Sequence, residues 1–212
     1  TDDNFATIVR AVSEGRKLYD NMLKYIRFMM VALVTYVVTF LMASLLNIAG
    51  GQPFSATQIL WINFVITAPV GIALGLDKET PGLMKRMPRP RSATIMTPAV
   101  MLTVGLVGLF MAVAINAIIV FGENRYGKGE VASTMGLVAF SLMLVVAAFE
   151  CRDEKATILA SDTFDNRTLN ITVLVELVLA VLIAEGALLP SLLKTVDLSG
   201  TQWLLGAAPA VV

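Results

Sequence analysis

The stretch DDNFATIVRAVSEGRKLYDNMLKYIRF (Asp2–Phe28) runs directly into MMVALVTYVVTFLMASLL (Met29–Leu46), so a charged segment is fused to an apolar one. Between Phe5 and Leu46 there is no proline, and Gly15 alone interrupts the helical pattern. Ile8, Val9, Val12 and Leu18 recur at roughly helical spacing, as on a half-buried stalk. One helix over these 42 residues would be a rod of about 63 Å, about twice the thickness of a bilayer's hydrocarbon core. Such a rod would carry movement from water into the membrane. An amphipathic helix lying on the lipid surface is the other reading of the same periodicity.

The rest of the chain favours the membrane. Of its 212 residues 57% are hydrophobic and only 15% charged, fewer charges than a soluble domain carries. There is no histidine and one cysteine, Cys151, which excludes a disulfide within the chain and a His/Cys zinc or copper site. A net charge of zero argues against a nucleic-acid partner; the lipid bilayer is the expected one. The chain opens on Thr1 inside what reads as a mid-protein helix, with no signal peptide ahead of it, and is expected to be a piece of a longer polypeptide.

Five apolar stretches are long enough to cross a bilayer: 26–48, 56–76, 98–121, 133–149 and 169–189; a sixth, 202–212, has about half the needed length. Residues 1–25 form the expected stalk and 26–212 the expected transmembrane domain. Uniformly apolar segments of this length predict helices, hence an all-α polytopic bundle of about six spans rather than a barrel. Thirteen of the sixteen basic residues fall in the N-terminal stretch, the 77–97 loop and the 150–168 loop. The positive-inside rule puts these on the cytoplasmic side, with a plasma-membrane location expected. The Pro-rich, basic ETPGLMKRMPRPRS (Glu79–Ser92) is expected as a loop near the headgroups.

A cation crossing the bilayer needs oxygen ligands in place of water. In the second span Asn63 and Thr67 are four apart and are expected to share a helix face. Pro69 cannot donate to the carbonyl of Val65, and Gly71 eases local unwinding. Asn63, Thr67, Val65 and Pro69 are the candidate ion site; a proline kink with two polar side chains bonding neighbouring helices is the alternative. On the first span Thr35 and Thr39 share a face, with Tyr36 about 100° away. Thr35 and Tyr36 join the candidates, although membrane threonines commonly bond their own backbone. Glu176 lies near the centre of the last full span and Glu185 near its outer boundary, on opposite faces. An ionised Glu176 would be costly there, which leaves a protonated or paired carboxyl, or a proton-coupled role. Asn116 reads as an interhelical hydrogen bond, and the charges at 150–155 as a solvated connection.

Several blocks resemble one family. Asp2–Phe28 is similar to the segment joining the phosphorylation domain to the fifth transmembrane helix of P-type cation-transporting ATPases, in the calcium and sodium/potassium pump branch. QILWINFVITAPVGIALGLD (Gln58–Asp77) resembles the sixth helix, and PGLMKRMPRPR (Pro81–Arg91) the basic loop after it. FECRDEKATILASDTFDNRTLN (Phe149–Asn170) resembles the loop after the eighth helix, and LSGTQWLL (Leu198–Leu205) the entry of the tenth. The resemblance implies helices five to ten of a pump and transport by phosphorylation-driven alternating access. The Asp-Lys-Thr-Gly-Thr phosphorylation motif, the Thr-Gly-Glu actuator loop, a nucleotide-binding domain and any phosphate-cradling glycine loop do not occur in the sequence. No catalytic residue is therefore assigned, and this chain alone cannot hydrolyse ATP. Mg-ATP is expected for the parent protein, and catalytic domains of the same polypeptide, or another membrane complex, are the expected partners.

The ligand positions depart from the calcium-pump pattern. Tyr36 stands where the family has a Glu, and Leu33 where it has an Asn one turn earlier. Asn63 is kept, but the Thr-Asp pair after it reads Ile66-Thr67, and the acidic ligand of the eighth helix aligns with Leu144. These three helices thus offer no carboxylate, and a divalent ion held by neutral oxygens alone would be poorly compensated. Calcium specificity does not carry over and the transported cation is unassigned. Either the ion differs, or binding is single and weak, or transport is lost; a non-catalytic pump remnant with a structural or partner role is the competing reading.

Overall fold

A computed structural model describes residues 5–80, 82–87, 94–127, 129–152, 165–185 and 190–211. The expectations for 2–4, for 81 and 88–92 of the proline-rich loop and for the charges at 153–155 fall outside these residues. Among the described residues the chain is helical, with no strand.

Helix α1 spans Phe5–Leu46 without a break, so the stalk and the first span are one rod. No proline withdraws a backbone donor along it, and Gly15 is tolerated at a helix interior for about 1 kcal/mol. The boundary near residue 25 is a change of surroundings rather than of backbone. Phe5, Ile8, Val12 and Leu18 are exposed. From Asn21 onward a buried stripe follows at helical spacing: Lys24, Phe28, Val31, Thr35, Thr39 and Ala43. The chain leaves α1 through a left-handed corner at Asn47, Ala49, Gly50 and Gly51.

Helix α2 (Ala56–Trp61) starts at a capping box in which the Gln58 side chain accepts from Ser55 N and the Ser55 hydroxyl accepts from Gln58 N. A π-helical turn, Ile62–Thr67, separates it from α3 (Ala68–Gly75). Helix α4 (Pro98–Tyr126) begins with Pro at its first position after a Thr97 cap, and α5 covers Glu130–Arg152. Then come α6 (Arg167–Ala184), the short α7 (Pro190–Leu193) and α8 (Gly200–Ala207). Among the described residues four helical stretches are long and apolar enough to cross a membrane: Phe5–Leu46, Ala56–Gly75, Pro98–Tyr126 and Glu130–Arg152. The fifth expected span corresponds to α6, whose 18 residues reach about 27 Å.

Helix α5 is the centre of the bundle and touches α1, α3, α4, α6 and α8. Small residues set the closest approaches, the usual way for membrane helices to gain packing without a hydrophobic drive between them. A Cβ on Gly108 would stand 2.6 Å from Val34 Cγ1, so only glycine lets α4 lie this close to α1. Across the same interface Asn116 Nδ2 donates to Thr39 O at 3.4 Å, the interhelical bond expected of it, and to Ala112 O at 2.8 Å.

Candidate ion-binding site

The departure from regular helix falls where the sequence places its proline. Pro69 has no N–H, so it can serve neither Val65 four residues back nor Phe64 five residues back. The backbone answers by widening: Ala68 N donates to Asn63 O, five residues back, which defines the π turn. α-Helical geometry resumes at Ala68 and carries through Pro69 to Gly75.

The two polar side chains of this segment do not share an environment, contrary to the expected common face. Thr67 is buried, and its hydroxyl donates to Ile62 O at 3.1 Å. Asn63 is exposed, with Nδ2 donating to Ile59 O at 3.0 Å. The π turn packs against α5, and Thr67 lies on the covered part of the segment while Asn63 does not. Val65 and Pro69 are half-buried beside them.

Tyr36 approaches this segment from α1. Its ring packs on Phe140 of α5 at 4.7 Å, and Phe140 in turn meets Phe54 edge-on at 5.8 Å. The Tyr36 hydroxyl is buried and has no hydrogen-bond partner among the described residues; Thr67 is an interacting neighbour, beyond direct hydrogen-bond geometry. Tyr36 and Thr67 are therefore brought together. Thr35, one residue earlier and about 100° around the helix, is not. It is fully buried against α4, donating to Val31 O at 2.8 Å and lying 3.6 Å from Met111 Sδ. It bonds its own backbone, as membrane threonines do.

No carboxylate joins Tyr36 and Thr67 from α1, the π turn or α5. Leu33, at the position of the expected Asn, is half-exposed, and Leu144, at that of the expected acid, is fully buried. Among the described residues no group of three His, Cys, Asp or Glu side chains could hold a metal ion. The nearest membrane acid in character is Glu176, on the buried stripe Leu169, Val173, Ala180 and Ile183 of α6. It is 3% exposed, and among the described residues neither carboxyl oxygen has a hydrogen-bond partner. Glu185 is exposed at the end of the same helix.

One polar cluster was not legible in the sequence. Asp77, two residues past α3, is 1% exposed. Lys24 Nζ of α1 lies 2.7 Å from its Oδ2, and Arg152 Nε of α5 lies 3.0 Å from the same oxygen. Burial alone would raise the Asp77 carboxyl, but the hydrogen bonds and charges of Lys24 and Arg152 outweigh it and hold the group below the usual carboxylate value. Asn21 adds its amide to Asp77 O at 2.8 Å, and Asn166, at the start of α6, donates to Ala73 O at 3.2 Å. The available signal was the placement of Lys24, Asp77 and Arg152, each at the same end of an apolar run.

A long stalk helix continuous with a span, a proline-containing second span with a π turn and a central α5 make an all-α membrane domain. Residues 51–212 match the family described as "Cation transporting ATPase, C-terminus", and the chain belongs to that family. It is 31% identical over 206 residues to a calcium-transporting ATPase of Bacillus subtilis, covering 96% of this chain and 23% of the relative. It is also 31% identical to calcium-transporting ATPase 1 of Schizosaccharomyces pombe, over 82% of this chain and 19% of that protein. With the cation-transporting ATPase pma1 of Synechocystis it shares 27% identity over its full length, 24% of the relative. The chain thus spans about a quarter or less of the relatives it matches.

Proposed function

We propose that this chain is the membrane-embedded C-terminal part of a P-type ATPase that moves an inorganic cation across the plasma membrane, with the α1 stalk on the cytoplasmic side. Mg-ATP would be hydrolysed by domains of the polypeptide outside these 212 residues. The observation that carries the reading is the π turn ahead of Pro69, because irregular backbone at membrane depth is tolerated where it lines a polar path. Thr67, the Val65 carbonyl and Tyr36 would supply ligands from the covered part of this segment, supported by the burial of Thr67 and the partial burial of Val65 and Tyr36; Asn63 is exposed. An exposed amide is a poor neighbour for lipid, so a further helix of the polypeptide, covering Asn63, would complete the ligand set and supply negative charge. Calcium is named for two of the relatives; the neutral ligands of this chain do not carry that specificity over.

Glu176 enters the proposal as a proton-exchanging or charge-neutral group, supported by its burial without a partner. The missing carboxylates around Tyr36 and Thr67 favour the second reading, a pump remnant with a structural role. The test is cation-stimulated ATP hydrolysis by the full-length polypeptide in vesicles. Asn63→Ala should raise the cation concentration needed for half-maximal rate. An unchanged cation dependence leaves Asn63 and Pro69 as a structural kink, and no cation stimulation in the parent favours the remnant.

A further inference from the structure

One face of the stalk is bonded along its length to the segment that follows α3. Ser13 Oγ lies 3.3 Å from Glu79 Oε1, and Arg16 Nη1 donates to Leu83 O at 3.0 Å and to Arg86 O at 2.9 Å. Asp20 pairs with Arg86 at 2.9 Å, and Asn21 donates to Gly75 O and Asp77 O at 3.3 and 2.8 Å. Ser13, Arg16, Asp20 and Lys24 recur every three or four positions, with Asn21 beside Asp20, so they form one stripe. Most of the stripe meets loop backbone or exposed side chains. At its membrane end the character changes: Lys24 meets a buried carboxylate that also holds Arg152 from the far side of the bundle.

Two cations share this one anion, and each comes from a different long helix. The Asp77 carboxylate cannot leave Lys24 without stranding a charge that burial makes costly. The eight residues of α3, about 12 Å of helix, and then Leu76 connect it to Thr67 at the end of the π turn. The α-helical backbone between them transmits axial displacement, whereas the π turn, with Pro69 removing a donor, is the segment that yields.

We propose that Asp77 is a positioning residue for transport: it ties the stalk and the end of α5 to α3, so that a shift of the stalk is delivered to the π turn. The inference rests on the transport reading above. The measurement is cation-stimulated ATP hydrolysis by the full-length polypeptide in vesicles. Asp77→Asn should lower the maximal rate by about tenfold while moving the half-saturating cation concentration by less than about twofold, since no ligand is removed. Adding Lys24→Met should recover at least about threefold of that loss, as expected for directly coupled residues. Arg152→Gln, which keeps the Lys24–Asp77 pair, should cost less than Asp77→Asn and serves if that variant does not fold. A full rate for Asp77→Asn, or no recovery in the double variant of a folded protein, overturns the proposal.

A second readout does not depend on pumping. In a Cys151→Ser background, Ser13→Cys and Glu79→Cys should be bridged readily by a short bis-maleimide, and several-fold more slowly once Asp77→Asn is added. Equal bridging overturns the tie between stalk and loop. A parent protein with no cation-stimulated hydrolysis overturns the transport reading, and the bridging yield then still decides whether Asp77 holds the stalk.

Discussion

Lys24 Nζ and Asp77 Oδ2 lie 2.7 Å apart although 53 residues separate them in the chain, and Arg152 closes the same carboxylate from the other side at 3.0 Å. Removing the anion leaves two cations facing each other where little water reaches. Asp77→Leu should therefore destabilise the folded chain by about 3–5 kcal/mol, the usual cost of breaking a buried pair from one side. Lys24→Met should cost less, because Arg152 still balances the carboxylate. Thermal unfolding in detergent checks the order.

The same pair sets a pH dependence. The Asp77 carboxyl is held below its ordinary value in the fold, where Lys24 and Arg152 favour the ionised form. The unfolded chain has the ordinary carboxylate value of about 3.9. A lowered folded value means the contribution is fully present above the unfolded one and is lost as pH falls through the folded one. The unfolding temperature of the wild type should thus be insensitive to this group from pH 7 to about 5 and drop below about 4. Asp77→Asn should start lower and lose less over the same acid range. Parallel acid limbs for the two proteins would mean that other carboxylates dominate.

Gly108 makes the α1–α4 contact possible, and its replacement tests how tightly that contact is set. An added Cβ would stand 2.6 Å from Val34 Cγ1 and 2.7 Å from Val34 Cβ, closer than side chains tolerate. Gly108→Ala should cost about 1–3 kcal/mol through overpacking, and Val34→Ala in the same protein should recover most of it. A neutral Gly108→Ala would show that the helices separate freely.

These features differ in how far the sequence discloses them. The continuity of α1 is local: no proline between Phe5 and Leu46 and a steady helical period are enough to set it. Pro69 discloses that the second span is irregular, but not that Ala68 bonds five residues back, because the neighbouring helices select among several ways of sparing a donor. The burial of Thr67 and exposure of Asn63 depend on where α1 and α5 sit, which no spacing rule within one helix supplies. Lys24, Asp77 and Arg152 are separated by 53 and 75 residues, and their meeting is a consequence of the whole bundle.

Pro69→Ala separates the structural from the functional meaning of the π turn. Alanine returns an N–H that can bond Val65 or Phe64, so the segment can relax toward regular α-helix. Helix stability should be unchanged or higher by up to about 3 kcal/mol, the penalty a helix-interior proline imposes. If the widened turn serves the ion path, cation-stimulated hydrolysis by the full-length polypeptide should fall despite the firmer helix. Unaltered cation dependence in a protein of equal or greater stability would reduce Pro69 to a kink.

Glu176 is the remaining test, because its two carboxyl oxygens are buried with no hydrogen bond on an otherwise apolar stripe of α6. A group kept only for packing would be improved by losing its polar atoms. Glu176→Leu should then stabilise the fold by about 1–3 kcal/mol, the desolvation cost of an unsatisfied polar group. Glu176→Gln keeps the shape and removes the acidic proton, and should leave stability within about 1 kcal/mol of the wild type. The functional reading predicts that both variants transport more slowly in vesicles of the full-length polypeptide even though neither is less stable. Proton release into the medium during turnover, followed with a pH dye, should fall in step with transport. Full transport by a stabilised Glu176→Leu protein would remove the carboxyl from the mechanism.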